Sequence, residues 1–188
     1  MRADAERNRA AILDAGRRLF AERGLGVPLD LIASEAGVSR ATQNRHFPTK
    51  ESLARALFEE NLDQLARVIK DSPVGEGYVA ALVLCTELMR RDIGFIELFD
   101  SREVGEQARS DIAARFLALM DPPLRAAQAA GSVRGDLEPG DTRMLVNMLG
   151  AAAMPNDHHQ PDPGRGQRGT ALLVEAIRPP VRHVPPSQ

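Results

Sequence analysis

The feature that most constrains the fold is a pair of short helical segments separated by a turn of only a few residues. The first segment begins at Pro28 and ends at Gly37, which suits a tight turn because glycine readily takes positive backbone φ angles. Ser39 is a favoured N-cap for a second segment from Arg40 to His46, which Pro48 ends. Two helices joined in this way cross at a steep angle, as in a helix-turn-helix motif.

Small and apolar residues lie where such a crossing needs them. Ala33 and Gly37 are four positions apart, and their small size allows the two helices to approach closely. Val38 is predicted to fill the angle between the helices. The predicted scaffold of the motif comprises Ile32, Ala33, Gly37, Val38 and Phe47.

Helical periodicity also dominates the rest of the chain. Apolar residues recur at helical spacing, and no segment convincingly alternates as a β-strand does. The fold class is therefore predicted to be all-α, with about nine helices. Besides the two helices of the motif, the predicted helices cover residues 3–23, 50–70, 79–89, 93–99, 112–130, 140–154 and 170–177.

Stretches rich in proline and glycine are predicted to break this pattern. Pro122 and Pro123 should interrupt or kink their helix because proline lacks the backbone N–H. Residues 131–140 are expected to form a turn region, residues 155–169 a loop, and residues 179–188 a disordered tail.

The formal net charge of −2 conceals an uneven distribution. Residues 1–50 carry 9 Arg and Lys against 6 Asp and Glu, a net charge of +3, whereas residues 51–188 carry 15 against 20, a net charge of −5. A basic module joined to an acidic one is typical of a protein of which one end meets phosphate groups. We therefore predict a nucleic-acid-binding domain over residues 1–50 and a second domain over residues 51–178.

Composition and patterning argue against several other classes of protein. With 43% hydrophobic and 27% charged residues, the chain is expected to be globular. No apolar run approaches the roughly 18 residues that a membrane span needs, and the N-terminus has no apolar signal-peptide segment, so we expect a cytoplasmic protein without a membrane partner. Cys85 is the single cysteine and is expected to be a small core residue rather than a redox group.

The second helix of the motif carries a polar outer face formed by Arg40, Ala41, Asn44 and Arg45. A helix of this kind fits the major groove of DNA, which is about 12 Å wide. Lys50 lies in the first turn of the next helix, where the helix macrodipole disfavours a cation by roughly 0.3–1 kcal/mol. A phosphate bound at that helix end would reverse the effect. The pattern therefore indicates contact with DNA.

The same stretch resembles the DNA-binding module of TetR-type repressors, whose familiar run reads Ile-Ala-x-x-Ala-Gly-Val-Ser-x-x-Thr-Leu-Tyr-x-His-Phe-x-x-Lys-x-x-Leu. This chain matches the run at Ile32, Ala33, Ala36, Gly37, Val38, Ser39, Thr42, His46, Phe47, Lys50 and Leu53. The first helix also fits. The motif match covers roughly residues 8–60, and a weaker resemblance extends to about residue 65. Residues 126–137 resemble, more loosely, a helix end and turn of the family's regulatory domain.

The resemblance implies a role for each residue on the DNA side of the motif. Thr42 and Lys50 are expected to contact phosphate, while Arg40, Ala41 and Asn44 face bases. His46 either closes the corner of the motif by packing or contacts a phosphate, and Arg45 either meets DNA or is solvated. The complete predicted DNA-binding set is Ser39, Arg40, Ala41, Thr42, Asn44, Arg45, His46 and Lys50.

Two positions depart from the family pattern, because its usual Leu-Tyr pair is Gln43-Asn44 in this chain. The tyrosine of the family usually contacts a phosphate. Asn44 is shorter and could instead make two hydrogen bonds to an adenine edge. Gln43 occupies a core position, so its amide must find a partner or turn outward. A buried amide without partners would cost roughly 1–3 kcal/mol.

The family resemblance also assigns the second domain to regulation and dimerisation. A ligand pocket would lie between the middle helices, although core packing is the default role for each of its candidates. The candidate pocket residues are Phe58, Leu62, Leu88, Phe95, Phe99, Phe116 and Met120. The candidate dimer interface is Met144, Leu145, Met148, Leu149, Leu172, Leu173 and Ile177.

No catalytic constellation is apparent in the sequence, and we expect neither a metal site nor a cofactor. His158 and His159 are adjacent and therefore do not share a helix face as metal ligands would. The leading hypothesis is a homodimeric transcriptional repressor that binds operator DNA and responds to an unknown small-molecule effector. The alternatives are a DNA-binding regulator without a ligand, and a helical ligand-binding or enzymatic protein that does not bind DNA.

Overall fold

The computed structural model of the chain describes residues 2–24, 26–91, 105–153 and 163–180. Within these ranges the chain forms helices and no strand, so the all-α prediction is confirmed. The helices are α1 (Arg2–Arg23), α2 (Leu29–Glu35), α3 (Arg40–His46), α4 (Lys50–Asp71), α5 (Gly77–Arg91), α6 (Glu106–Ala129), α7 (Pro139–Ala153) and α8 (Pro163–Ala176).

The ends of the first four helices follow from local capping residues. Gly24 has a φ of +67°, and its N–H donates to the carbonyl of Phe20 over 3.0 Å, which closes α1 with a left-handed cap. Pro28 is the N-cap of α2 in an extended conformation, so it stands just before the helix rather than in its first turn. Thr49 and Ser52 cap the start of α4 reciprocally, each side chain bonding the other residue's backbone N–H.

Two predicted breaks in the helical pattern are not found. Helix α6 runs through Pro122 and Pro123 without interruption, although two carbonyl groups one turn earlier lose their N–H partners. A kink at these prolines, the other predicted outcome, stays a prediction. Helix α8 begins at Pro163, so the predicted loop is wrong over residues 163–169. Proline is tolerated in the first turn of a helix, where its missing N–H removes no hydrogen bond.

Several predictions concern residues outside the described ranges. These are the helix over residues 93–99, the loop over residues 155–162, the histidine pair at 158–159 and residues 181–188 of the tail. The described part of the chain divides into two compact units. The first combines residues 1–64 with 87–116, and the second combines residues 65–86 with 117–188, so that α4, α5 and α6 each contribute to both. The predicted domain boundary near residue 50 stays a prediction.

The first unit is organised around an apolar core shared by α1 to α4. Its largest fully buried side chains are Ile12, Leu13, Phe20, Ile32, Leu53 and Leu57. Gly16 lets α4 approach α1 closely, because a Cβ at this position would lie 3.0 Å from Cδ2 of Leu53. This core fixes the motif of α2 and α3 against the two longer helices.

The second unit holds α7 against α8 and joins both to α5 through buried hydroxyl groups. The Tyr78 hydroxyl lies 2.9 Å from Oγ1 of Thr142, and both residues are buried. Thr170 donates to Oγ1 of Thr86 over 3.3 Å. Burial is also the main cause that raises the pKa of Tyr78 above its usual value, so the phenol stays protonated and hydrogen-bonded at neutral pH.

Cys85 lies in this second unit and is buried, as expected of a core residue. Desolvation raises the pKa of its thiol to about 12. The thiol is therefore protonated at neutral pH and lacks the thiolate form that redox chemistry requires.

Candidate DNA-binding site

The turn between α2 and α3 is a Schellman motif built on Gly37. This glycine has a φ of +67°, its N–H donates to the carbonyl of Ser34 over 3.1 Å, and the N–H of Val38 donates to the carbonyl of Ala33 over 3.0 Å. Val38 is partly buried against the core of the first unit. The predicted scaffold residues Ile32, Ala33 and Phe47 are buried.

Ser39 fixes the start of α3 through its side chain. Its Oγ accepts a hydrogen bond from the backbone N–H of Thr42 over 3.1 Å and lies 2.9 Å from the Thr42 hydroxyl. An N-cap of this kind typically stabilises a helix by about 1 kcal/mol. The first turn of α3, and with it Arg40 and Ala41, is thereby held in place.

The outer face of α3 is exposed where the sequence predicts contact with DNA. Arg40, Ala41, Asn44 and Arg45 are all exposed, while Thr42 is half-buried. The opposite face packs inward through Gln43, which is completely buried. Seven residues give only two helical turns. These two turns are enough to present one exposed face to solvent, because the opposite face is packed against the core.

Gln43 turns inward and finds one partner rather than two. Its Nε2 donates to the backbone carbonyl of Phe47 over 3.2 Å. Its Oε1 is buried, and no donor among the described residues reaches it. An unpaired buried acceptor costs free energy, so Gln43 lowers the stability of the helix-turn-helix motif.

His46 is half-buried at the end of α3 and lies beside the ring of Phe47, with 6.3 Å between the ring centroids. Its Nε2 is buried and has no hydrogen-bond partner within the described ranges. This geometry matches the packed role at the corner of the motif. The phosphate contact stays a prediction.

Lys50 is the first residue of α4 and is half-buried. The reciprocal cap of Thr49 and Ser52 uses two of the N–H groups at this helix end. Lys50 therefore stands at a helix N-terminus within the same unit as α3, which is the placement that the phosphate interpretation requires.

Three ionic contacts that were not predicted from the sequence lie around the motif. Nε of Arg40 lies 3.1 Å from Oδ1 of Asp30, which is in the first turn of α2. Glu60 of α4 lies 3.2 Å from Nη2 of Arg17 and 3.8 Å from Nη1 of Arg9. The partners are far apart in sequence, so no short-range spacing signals them.

Arg9 also connects α1 to the end of α3. Its guanidinium lies over the ring of Phe47, with 5.5 Å between Cζ and the ring centroid, in a cation–π contact. Because Arg9 reaches Glu60 as well, one side chain of α1 contacts both the C-cap of α3 and the middle of α4.

The candidate pocket residues fall into both compact units. Phe58 and Phe116 are half-buried in the first unit, where Leu62 and Leu88 are buried. Met120 is buried in the second unit. Phe95 and Phe99 lie outside the described residues. Near the first group, Arg91 donates to Oδ1 of Asn61 over 2.9 Å, a polar contact that the sequence did not suggest.

The candidate interface residues on α7 and α8 divide by exposure. Met144, Met148 and Leu172 are 50%, 46% and 59% exposed, which is unusual for large apolar side chains. The remaining four are less exposed. Leu145, Leu149 and Ile177 are buried in the second unit, and Leu173 is half-buried there. An open groove of about 510 Å³ runs along α7 between Gly140 and Ala151 and includes Met144 and Met148.

Metal clusters and membrane-spanning helices are both absent from the described part of the chain. It holds no cluster of three side chains suited to bind a metal ion. Among its helices, none combines the length and apolar character required to cross a bilayer.

Comparisons with known proteins agree with this geometry. The sequence model described as bacterial regulatory proteins of the tetR family matches residues 12–57, which run from the middle of α1 to the first part of α4. The HTH-type transcriptional repressor LfrR of Mycolicibacterium smegmatis is 31% identical over 140 residues, covering 74% of each chain.

Solved structures resemble the chain over nearly its whole length. A TetR transcription regulatory protein from Mycobacterium vanbaalenii has a TM-score of 0.65 at 32% identity, covering 94% of this chain and 98% of its own. A TetR transcriptional regulator from Streptomyces coelicolor has a TM-score of 0.69 at 26% identity, covering 92% and 99%. With its helix-turn-helix, the exposed outer face of α3 and these relatives, the chain belongs to the TetR family and is a DNA-binding transcriptional regulator.

Proposed function

We propose that the chain is a homodimeric repressor that binds a near-palindromic operator and leaves it when a small molecule binds. The observation that carries this proposal is the exposed face of α3, held by a capped helix start and a buried opposite face. The relative LfrR is named a repressor, which supports repression rather than activation. Because repression occurs on the chromosome, the protein would act in the bacterial cytoplasm.

Each half of the dimer would read DNA through α3. Arg40, Ala41 and Asn44 would face base edges in the major groove, where Asn can bond adenine and Arg can bond guanine with two hydrogen bonds each. Thr42 and Lys50 would contact phosphate groups, which position the helix without reading sequence. Arg45 and His46 stand at the border of this surface.

The proposed dimer forms through α7 and α8. The exposed side chains of Met144, Met148 and Leu172 would be buried against the same helices of a second copy. In a twofold-symmetric dimer the same patch serves both subunits, so an apolar surface complements itself. The two reading helices would then enter major grooves about 34–36 Å apart.

The regulatory domain is proposed to begin near residue 51 and to hold the effector. Phe58, Leu62, Leu88 and Phe116 supply apolar side chains in the first unit, and Met120 does so in the second. The effector would release DNA only to the extent that it binds the released conformation more tightly than the bound one. No enzymatic step is part of this proposal.

The proposal is tested by selecting genomic fragments with the purified protein at about 150 mM salt, an ionic strength at which charge interactions beyond about 8 Å are screened. The expected result is one enriched near-palindromic site whose half-sites are one helical turn apart. Substrates of the neighbouring gene products are then tested for release of the selected DNA. A protein that enriches no sequence would instead be a helical protein without operator binding.

A further inference from the structure

Asp30 stands beside the predicted reading residue Arg40 although it belongs to the other helix of the motif. Its Oδ1 lies 3.1 Å from Nε of Arg40, and both side chains are largely exposed, at 58% and 75%. We propose that Asp30 is a positioning residue that orients Arg40 towards a guanine in the operator. This inference rests on the proposed function and names a determinant of its specificity.

The donor geometry of Arg40 favours this assignment. A guanidinium carries five N–H donors, and its ion pair with Asp30 is made on the Nε side of the group. The terminal groups Nη1 and Nη2 keep their donors at the far end of the side chain. Two donors side by side match the O6 and N7 acceptors of guanine, which form the commonest specific contact of arginine in the major groove.

Asp30 also carries a charge that affects binding to every DNA sequence. Its carboxylate is exposed on the side of the motif where Arg40 is exposed, so it would repel phosphate groups near the reading helix. Asp30 should therefore weaken binding to nonspecific DNA while it sharpens the preference for guanine. A residue with a merely structural role would not change these two quantities in opposite directions.

Exposed ion pairs contribute little to folding, so the pair can be altered without unfolding the motif. Asp30→Ala removes both the acceptor and the charge. Asp30→Asn removes the charge but keeps an oxygen that can accept from Nε of Arg40. The two variants separate orientation from electrostatics, because only the alanine variant should lose the orientation of Arg40.

The experiment uses the full chain and measures equilibrium binding to three DNA probes at fixed salt. The first probe is the selected operator. The second is the same operator with 7-deazaguanine at the base pair where the Arg40→Ala variant shows an altered base preference. The third is nonspecific DNA of equal length. We expect the wild type to prefer the first over the second by about tenfold, as loss of a base contact typically produces. Asp30→Ala should reduce that ratio at least threefold and raise affinity for the third probe.

The asparagine variant should retain most of the preference for guanine while showing the same gain on nonspecific DNA. In the Arg40→Ala background, Asp30→Ala should change binding to the first two probes by equal factors. The inference is overturned if Asp30→Ala changes the affinity for all three probes equally, or if Arg40→Ala alters no base preference. Failure of the proposed function is a different result, in which the wild type itself prefers no sequence.

Discussion

Replacing Gln43 by leucine should make the protein more stable. The side chain is completely buried, and its Oε1 has no hydrogen-bond partner within the described ranges. Leaving a buried acceptor unpaired costs roughly 1–3 kcal/mol, whereas the hydrogen bond from Nε2 to the Phe47 carbonyl contributes only about 0.5–1.5 kcal/mol. The substitution removes both but also leaves the Phe47 carbonyl without its Nε2 donor, so the free energy of unfolding should rise by at most about 1 kcal/mol.

The assay is urea denaturation followed by circular dichroism, supported by thermal melting. For a chain of 188 residues, about 1 kcal/mol corresponds to a rise in Tm of about 2–4 °C. Gln107→Leu is the matched control, because Gln107 is exposed and its substitution should change stability by less than about 0.5 kcal/mol. Gln43→Ala should destabilise the protein, since it removes packing as well as the amide.

One result would refute this reasoning about Gln43. If Gln43→Leu lowers the free energy of unfolding by as much as Gln43→Ala does, the amide is a net stabilising group and its Oε1 accepts a hydrogen bond. Operator preference supplies a second check, because a side chain that points into the core cannot read bases. A changed base preference in a stable Gln43→Leu variant would contradict the inward placement.

Two further predictions concern the backbone and the phosphate contact. Gly37→Ala should cost about 1–2 kcal/mol in urea denaturation because the residue has a φ of +67°, while Gly26→Ala, whose added Cβ meets nothing within 4 Å and which lacks a positive φ, should be nearly neutral. Equal effects of the two variants would remove the argument for the Schellman turn. Lys50→Ala should weaken binding to all DNA sequences and lower the salt slope of log K by about 1. Lys70→Ala, at the other end of α4, should leave that slope unchanged, and a salt slope unaltered by Lys50→Ala would exclude the phosphate contact.

The parts of the fold that were predictable are those fixed by local signals. The start of α3 follows from the Ser39 cap, the turn before it from Gly37, and the start of α4 from Thr49. Each signal acts within a few residues, through a side-chain hydrogen bond or a backbone conformation that few residues accept. The bounds of α3 are accordingly the same in the sequence prediction and in the structure.

The parts that could not be predicted depend on tertiary packing. Three glycines in the first half of α8 disfavour a helix by roughly 1 kcal/mol each, and the sequence therefore predicts a loop there. In the structure α8 packs against α7, and Thr170 is buried against Thr86. Contacts of this kind offset weak helix propensity, but they join residues that are distant in sequence.

The candidate site shows the same division. The exposed face of α3 follows from helical periodicity once the buried position of Gln43 is known. The contact between Asp30 and Arg40 depends on the crossing angle of two helices, which the sequence specifies only through the packed turn. The contacts of Glu60 with Arg9 and Arg17 likewise require the close approach of α1 to α4 at Gly16.

The central claim is that the outer face of α3 reads bases, and the base preference of Asn44→Ala tests it most directly. The variant and the wild type are each used to select from a randomised DNA library, with Arg125→Ala, an exposed α6 residue of the other compact unit, as the control. The account predicts a loss of discrimination of about 1–3 kcal/mol at one base pair in each half-site for Asn44→Ala, and an unchanged preference for Arg125→Ala. A uniform loss of affinity at every position, with the preferred sequence intact, would contradict it, because Asn44 would then contact only the DNA backbone.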